Sequence, residues 1–178
     1  PMLISAAKHG MKRAIVPEQN FHEANLVSDI SVTAASSLIE VLALLTGTTQ
    51  PRDIPLLTHE EVVTELDFSE VAGQEDAKFG LEIAATGGHH LLMMGPPGTG
   101  KTMLAERIPT ILPRLDDLQA REVAAIHSIA GTQRLQQSHF KTPPFVAPHH
   151  TTTTVGMVGG GTKQIRPGAC SLAHNGVL

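Results

Sequence analysis

The chain has 178 residues, 41% of them hydrophobic, which is enough for one compact domain, or for one domain and part of another. Aromatic residues make up 3% of the sequence, the formal net charge is −4, and basic residues form no cluster, so composition argues against a nucleic-acid-binding surface within this chain. Neither an apolar run of membrane-spanning length nor a secretion signal occurs, and a single cysteine fits a reducing compartment, so we expect a cytoplasmic protein without membrane contact.

Residues 1–46 alternate between helix-like and strand-like patterns. Apolar spacing and turn residues predict, in chain order, a helix that ends near Gly10, a buried strand at Ala14–Val16, a helix at Glu18–Leu26, a strand at Ile30–Ala34 and an amphipathic helix at Ser36–Leu45. Strands that alternate with helices indicate parallel strands joined by crossovers. Because two strands are too few to fold alone, we expect this part to be the end of a domain whose first half precedes Pro1.

A polar stretch containing Gly and Pro predicts a linker at residues 47–60, so that a second domain spans residues 61–178. Helices are predicted in this domain at Glu75–Thr86, at Lys101–Ile108 and from Asp116 or Asp117 to Gly131. Pro109 and Pro113 are expected to prevent a long extension of the second of these helices.

The apolar run Leu91–Met94 predicts a strand that is covered on both faces. Each of three predicted helices has an apolar face. On the helix Ser36–Leu45 this face consists of Leu38, Ile39, Leu42 and Leu45, and on the helix Glu75–Thr86 it consists of Ala77, Leu81, Ala84 and Ala85. On the helix that ends at Gly131, the residues expected to face the core are Leu118, Val123, Ile126 and Ile129. From Pro143 onward the composition turns to Thr, Gly, Pro and His, which favours loops or a hairpin.

Residues 95–102 match the pattern G-x-x-x-x-G-K-[ST] at every position, and we call them the phosphate loop. Glycines let the backbone wrap around a phosphate without Cβ clashes, so that the amides of Gly98, Gly100, Lys101 and Thr102 point inward at the start of the next helix. The Lys101 ammonium is predicted to reach the β and γ phosphates and the Thr102 hydroxyl to bind Mg²⁺, which makes these two the predicted catalytic residues.

A strand before the phosphate loop and a helix after it are the context that this motif requires, so the predicted ligands are ATP or ADP with Mg²⁺. The alternative interpretation is an ordinary Gly/Pro turn that happens to contain Lys-Thr. The predicted nucleotide-binding residues are Gly95, Pro96, Pro97, Gly98, Thr99, Gly100, Lys101, Thr102 and the adjoining Met103.

Further motifs carry a family resemblance. The pattern Asp67-Phe68-x-x-Val71-x-Gly73-Gln74, together with Gly87-x-His89, Leu91-Leu92 and the phosphate loop, resembles the AAA+ ATPases. More specific are the segments 126–131, 144–151, 158–161, 166–168 and 172–178, which together resemble the magnesium chelatase-like ComM/YifB family. Residues 1–46 are similar to the end of that family's N-terminal domain, which shares its fold with Lon-type proteases. The resemblance covers nearly the whole chain, and residues 143–178 are its most specific part.

This resemblance implies an α/β fold: the first part of a three-layer AAA+ core, preceded by the C-terminal part of a Lon-protease-like domain. It places Val71 and Gly73 in the nucleotide site near the adenine, and it makes residues 145–167 a hairpin inserted into the second AAA+ helix. It further implies a homo-oligomeric ring, such as a hexamer, that couples ATP hydrolysis to movement on DNA, for instance branch migration during uptake of foreign DNA. The composition leaves DNA binding by the rest of the protein, or by the assembled ring, open.

Two other functions stay open. A magnesium chelatase subunit would use the same core to drive metal insertion into a porphyrin, although the Lon-like segment and the run Ala147–Thr151 argue against it. The other open function is a nucleotide-gated scaffold without motor activity. In the family, Gly176-Val177-Leu178 leads directly into the Walker B strand, so the acidic pair, the sensors and the arginine finger are expected beyond Leu178. We therefore expect a fragment of a longer protein that binds nucleotide without hydrolysing it efficiently.

Other reactive side chains have plainer interpretations. His149 and His150 are adjacent, and neighbours on an extended segment face opposite sides, so hydrogen-bonding roles are expected rather than a zinc site with His89, His90, Cys170 or His174. Cys170 is expected to be a small core residue rather than a nucleophile. Lys8 and Lys12 are expected on a solvated helix surface rather than in a Ser–Lys protease pair.

Overall fold

The computed structural model describes residues 1–55, 66–132, 141–161 and 165–178. Its helices are α1 (Met2–Lys8), α2 (Phe21–Ala24), α3 (Leu38–Leu45), α4 (Glu75–Gly87), α5 (Lys101–Ile111), α6 (Asp117–Ala130), α7 (Thr154–Val158) and α8 (Ala169–Leu172), and its strands are β1 (Arg13–Pro17) and β2 (Ser31–Ala35). Short 3-10 turns at Glu18–Asn20 and Phe68–Glu70 precede α2 and α4. The chain is a mixed α/β structure. None of the helices in the described ranges is long and apolar enough to cross a membrane.

The N-terminal part is a β-α-β unit. Strands β1 and β2 pair in parallel, from Arg13 opposite Ser31 to Pro17 opposite Ala35, which confirms the predicted crossover topology. Strand β1 is half-buried rather than buried. The predicted helix at Glu18–Leu26 is shorter than expected, because the 3-10 turn takes its first residues and its last ones form turns after α2.

Helix α3 begins where predicted and leaves its apolar face uncovered. The Ser37 hydroxyl caps it by accepting a hydrogen bond from the Glu40 amide at 3.3 Å. The side chains on the predicted apolar face are 56–80% exposed: Leu38, Ile39, Leu42 and Leu45. The amphipathic pattern therefore predicted the helix correctly, and the described residues do not bury its apolar stripe.

The segment after α3 is held against this helix by Arg52. Arg52 donates from Nε to Oε1 of Glu40 at 2.9 Å and from Nη2 to Oε2 at 2.7 Å. Residues 56–60 of the predicted linker, and the boundary at residues 60 and 61, lie outside the described residues.

The core around α4 and α5 consists of Phe68, Val71, Leu81 and Leu104, all at most 7% exposed. Ala77, Met93, Ile108 and Ile111 pack against it. Helix α4 buries Leu81 and Ala85 of its predicted face. This cluster joins the segment before α4 to the helix that follows the phosphate loop.

Leu91–Met94 differs from its prediction. The residues form no strand, because a strand exists only with a hydrogen-bonded neighbour and the sheet formed by the described residues contains β1 and β2 alone. Met93 packs on the core, whereas Leu92 and Met94 are 82% and 86% exposed. One face of the run is covered, and the expectation of two covered faces was wrong.

Helix α5 continues through Pro109 to Ile111, beyond the predicted end at Ile108. In the last turn a proline removes a single helical hydrogen bond, and beyond it the Leu112 amide still bonds to the Ile108 carbonyl at 3.2 Å. Ile108 and Ile111 pack on the core, and this apolar burial favours the extra turn.

Helix α6 confirms the predicted boundaries and corrects the predicted face. Asp116 caps it in a capping box with Gln119, and Gly131 ends it at φ 71°. Ala120, Val123 and Ala124 are buried, but Leu118 and Ile129 are 59% and 54% exposed. The buried stripe is centred on small residues, which allow close packing, rather than on the largest apolar side chains.

The region after Pro143 contains the two short helices α7 and α8 in addition to the predicted loops. An antiparallel bridge joins Gly160 to Arg166, so the chain does fold back there, although the intervening residues 162–164 are outside the described part. A parallel bridge between Phe145 and Val177 connects the beginning and the end of this region. The hairpin predicted for residues 145–167 stays a prediction.

Candidate functional site

The phosphate loop lies between the apolar run and α5. Gly98 and Gly100 both have φ 81°, a left-handed conformation that costs other residues energy. Gly100 is the N-cap of α5, and its carbonyl accepts from the Leu104 amide at 2.9 Å. Residues 95–99 are exposed to solvent. The loop thus presents its backbone at the positive end of an 11-residue helix, an arrangement that suits an anion.

The Lys101 side chain folds back over this loop. Its Nζ donates to the carbonyls of Gly95 at 2.9 Å and Pro96 at 2.8 Å, and to the Thr99 hydroxyl at 3.2 Å. All three acceptors are neutral oxygens. A phosphate that approached this ammonium would therefore compete with hydrogen bonds rather than with an ion pair.

Two glycines of the loop, Gly95 and Gly100, have close side-chain neighbours. A Cβ placed on Gly95 would lie 3.3 Å from the Thr99 hydroxyl oxygen and 4.0 Å from Lys101 Nζ. On Gly100 it would lie 3.3 Å from Gln74 Nε2. A larger residue at either glycine would therefore have to displace a neighbouring side chain. Thr102 and Met103 follow in the first turn of α5, and both are exposed.

Residues 67–74 pack against the phosphate loop and α5. Val71 is 3% exposed and belongs to the core. Gly73 and Gln74 both have positive φ, 67° and 64°, which turns the chain sharply into α4. The Gln74 side-chain amide then donates to the Thr99 carbonyl at 2.7 Å. The structure therefore brings this predicted segment and the phosphate loop together.

Arg107 of α5 holds the same segment from the other side. Its Nε donates to the Asp67 carbonyl at 3.0 Å, and its Nη2 lies 3.1 Å from Glu70 Oε2. The Phe68 amide donates to the Thr110 hydroxyl at 3.2 Å. The pKa of Asp67 is lowered, chiefly because its carboxylate accepts the Ser69 amide and also because Arg107 is near.

Sequence reasoning assigned no role to Arg107, Thr110 or the Gln74 side chain. The available signal for Arg107 was its position six residues after Lys101, on the helix that the motif requires. The contacts themselves span 25 to 42 residues along the chain, which no local pattern reveals.

The histidine pair adopts a different arrangement from the prediction. The His149 and His150 rings lie 4.1 Å apart between centroids, so they do not face opposite sides. The reason is a turn in which the Thr152 amide bonds to the His149 carbonyl, in place of an extended segment. His149 Nδ1 lies 2.7 Å from the Thr151 hydroxyl, in keeping with a hydrogen-bonding role. Within the described ranges, no three His, Cys, Asp or Glu side chains are grouped to hold a metal ion.

Cys170 is exposed, which contradicts its expected place in the core. Helix α8 and its C-cap bury Ala169 and Ala173, which share one face, and so Cys170 faces solvent. Near it, His174 Nε2 lies 3.1 Å from Glu122 Oε2. Lys8 and Lys12 are exposed, as expected.

Comparison with known proteins supports one family. The family described as magnesium chelatase, subunit ChlI, matches residues 67–178. Competence protein ComM of Haemophilus influenzae is 43% identical over 185 residues, which cover 98% of this chain and 35% of that protein. The Escherichia coli protein YifB is 42% identical over 184 residues, covering 100% of this chain and 35% of that protein.

An archaeal Lon protease of Archaeoglobus fulgidus matches a shorter stretch, 36% identical over 63 residues, which is 34% of this chain and 10% of that protein. The chain spans about a third of the length of ComM and YifB. Both the family match over residues 67–178 and the full-chain identities agree with the resemblance of the sequence motifs. The chain belongs to the magnesium chelatase-like family that includes ComM and YifB.

Proposed function

We propose that this chain binds ATP and ADP at the phosphate loop. The observation that carries the proposal is the Lys101 ammonium, which donates to three neutral oxygens over a glycine-rich loop at the start of α5. Lys101 supplies the positive charge for the β and γ phosphates, and the backbone amides of Gly98, Gly100, Lys101 and Thr102 supply hydrogen-bond donors.

Three further roles belong to this proposal. The Thr102 hydroxyl would hold Mg²⁺, which would neutralise phosphate charge. The backbone of Val71 and Gly73 borders the adenine, while the Val71 side chain stays in the core. Residues 95–103 then form the rest of the nucleotide site, with Met103 at its edge.

The test of nucleotide binding is the substitution Lys101→Ala. We expect it to abolish ATP binding in isothermal titration calorimetry, because it removes the positive charge at the phosphate loop and leaves the core residues unchanged. Lys8→Ala is the matched control: it removes an exposed lysine from α1 and should leave affinity unchanged. Unchanged affinity in the Lys101 variant would overturn the proposal.

For the whole protein we propose a ring-forming AAA+ ATPase that moves along DNA. Residues 1–46 form the end of a Lon-like domain, residues 47–60 the linker, and residues 61–178 the first part of a three-layer AAA+ core in which residues 145–167 form a hairpin insert. The support is the 43% identity to a protein named for competence, a process of DNA uptake, together with the phosphate-loop geometry.

The second candidate is metal insertion into a porphyrin, which the name of the matching family favours. ATP hydrolysis by the full-length protein separates the two. Stimulation of hydrolysis by branched DNA supports the DNA motor, and stimulation by a porphyrin with Mg²⁺ supports the chelatase. If neither stimulates hydrolysis, the result supports a nucleotide-gated scaffold. Native mass spectrometry with ATP tests the proposed hexamer.

A further inference from the structure

Gln74 occupies a position where its backbone is strained. Its φ and ψ are 64° and 36°, the left-handed region, in which glycine and asparagine are common and glutamine is not. In the described part of the chain one other non-glycine residue, Asn175, has a positive φ, 56°. Gln74 is also the N-cap of α4, where Ser, Asp, Asn or Gly would serve better, and its side chain makes no capping hydrogen bond.

The Gln74 side chain instead crosses to the phosphate loop. Its Nε2 donates to the Thr99 carbonyl at 2.7 Å, between the two left-handed glycines Gly98 and Gly100. Because this hydrogen bond is exposed, it contributes little to folding and does not by itself offset the backbone strain. Strain that stability does not explain points to a role at the site.

Peptide geometry shows what this hydrogen bond does. In a trans peptide the carbonyl and the following amide point in opposite directions. A Thr99 carbonyl held by Gln74 therefore directs the Gly100 amide away from Gln74. The holding point is itself fixed, because Val71 is in the core and Arg107 binds Asp67 and Glu70.

We propose that Gln74 is a positioning residue of the phosphate loop, which aims the Gly100 amide at a nucleotide phosphate and ties the 67–74 segment to the loop. This inference rests on the proposed nucleotide binding and adds to it the side chain of a residue outside the phosphate loop. It explains why glutamine, whose side chain is long enough to donate a hydrogen bond to the loop, occupies a position where glycine would be less strained.

Three substitutions separate the donor from the backbone. Gln74→Gly relieves the strain and removes the donor. Gln74→Asn tolerates the left-handed conformation but is one methylene shorter, and Gln74→Glu keeps the length while replacing the donor by a carboxylate that repels the Thr99 carbonyl. Each should weaken ADP binding by about tenfold in calorimetry, as expected for one lost positioned hydrogen bond.

The decisive comparison is between affinity and stability. Gln74→Gly should keep or raise Tm while ADP affinity falls, and the ¹⁵N amide resonance of Gly100 should shift in the ADP-free protein. A merely structural role predicts that Tm and affinity fall together. Asn175→Gly is the matched control, since it relieves the same kind of strain at the other positive-φ residue and should leave ADP affinity unchanged.

The outcomes also distinguish this inference from the function on which it rests. If wild-type protein does not bind ADP, both are overturned. If wild type binds ADP and Lys101→Ala does not, but Gln74→Gly binds as tightly as wild type, the role of Gln74 alone is overturned.

Discussion

At the scale of single residues, hydrogen bonds lower the pKa of the partly buried Glu40 carboxylate. Glu40 accepts the Ser36 amide and the Ser36 hydroxyl, each at 2.8 Å, in addition to the fork of Arg52. These bonds lower its pKa from 4.5 to about 2, with the Ser36 amide as the largest cause. Since the folded-state pKa is depressed, the stabilisation from this cluster is complete above pH 4.5 and is lost as the pH falls from 4.5 to about 2.

Arg52→Gln tests this account. We expect the pKa of Glu40 to rise but to stay below its ordinary value, because both Ser36 donors remain. A ¹³C-detected titration of the Glu40 carboxyl group measures it. An unchanged pKa would show that Arg52 has no part in the shift, and a full return to 4.5 would show that the Ser36 bonds have none.

At the scale of elements, helix ends follow local rules, whereas helix faces do not. Helix α6 starts at the capping box and ends at glycine as its sequence predicts, yet it buries Ala120 and exposes Leu118. Caps depend on bonds within three or four residues, whereas the buried face depends on which elements pack against the helix.

The cap of α6 can be tested by Asp116→Ala. Its Oδ1 accepts from the Gln119 amide at 2.8 Å, so we expect a loss of about 0.5 to 2 kcal/mol in the free energy of unfolding in urea. Asp116→Asn keeps a hydrogen-bond acceptor and should lower the free energy of unfolding by only a few tenths of a kcal/mol. Equal losses in the two variants would argue against the cap.

At the scale of the whole molecule, one small core connects the elements of the candidate site. Leu81, which is 1% exposed, touches the cluster that contains Val71 of the 67–74 segment and Leu104 of α5. The candidate site thus rests on a core to which α4 contributes. Packing in this core and binding at the loop should therefore be coupled.

Leu81→Ala tests that coupling. The cavity should cost about 2 to 5 kcal/mol of stability, and ADP affinity should fall as well, because the 67–74 segment loses its support. Phe79→Ala on the same helix removes a side chain that is 65% exposed and should change stability by less than about 0.5 kcal/mol. If ADP affinity is unchanged in folded Leu81→Ala protein, the core does not support the site.

The sequence by itself determined the phosphate loop, the helix caps, the β-α-β order and the family, because each rests on contacts or motifs within a few residues. Only the tertiary structure decided that α5 passes Pro109, that Leu91–Met94 lacks a paired neighbour among the described residues, and that Gln74 and Arg107 reach the site. These features depend on apolar burial and on hydrogen bonds between residues 25 or more positions apart, and such long-range partners are chosen by packing rather than by local propensity.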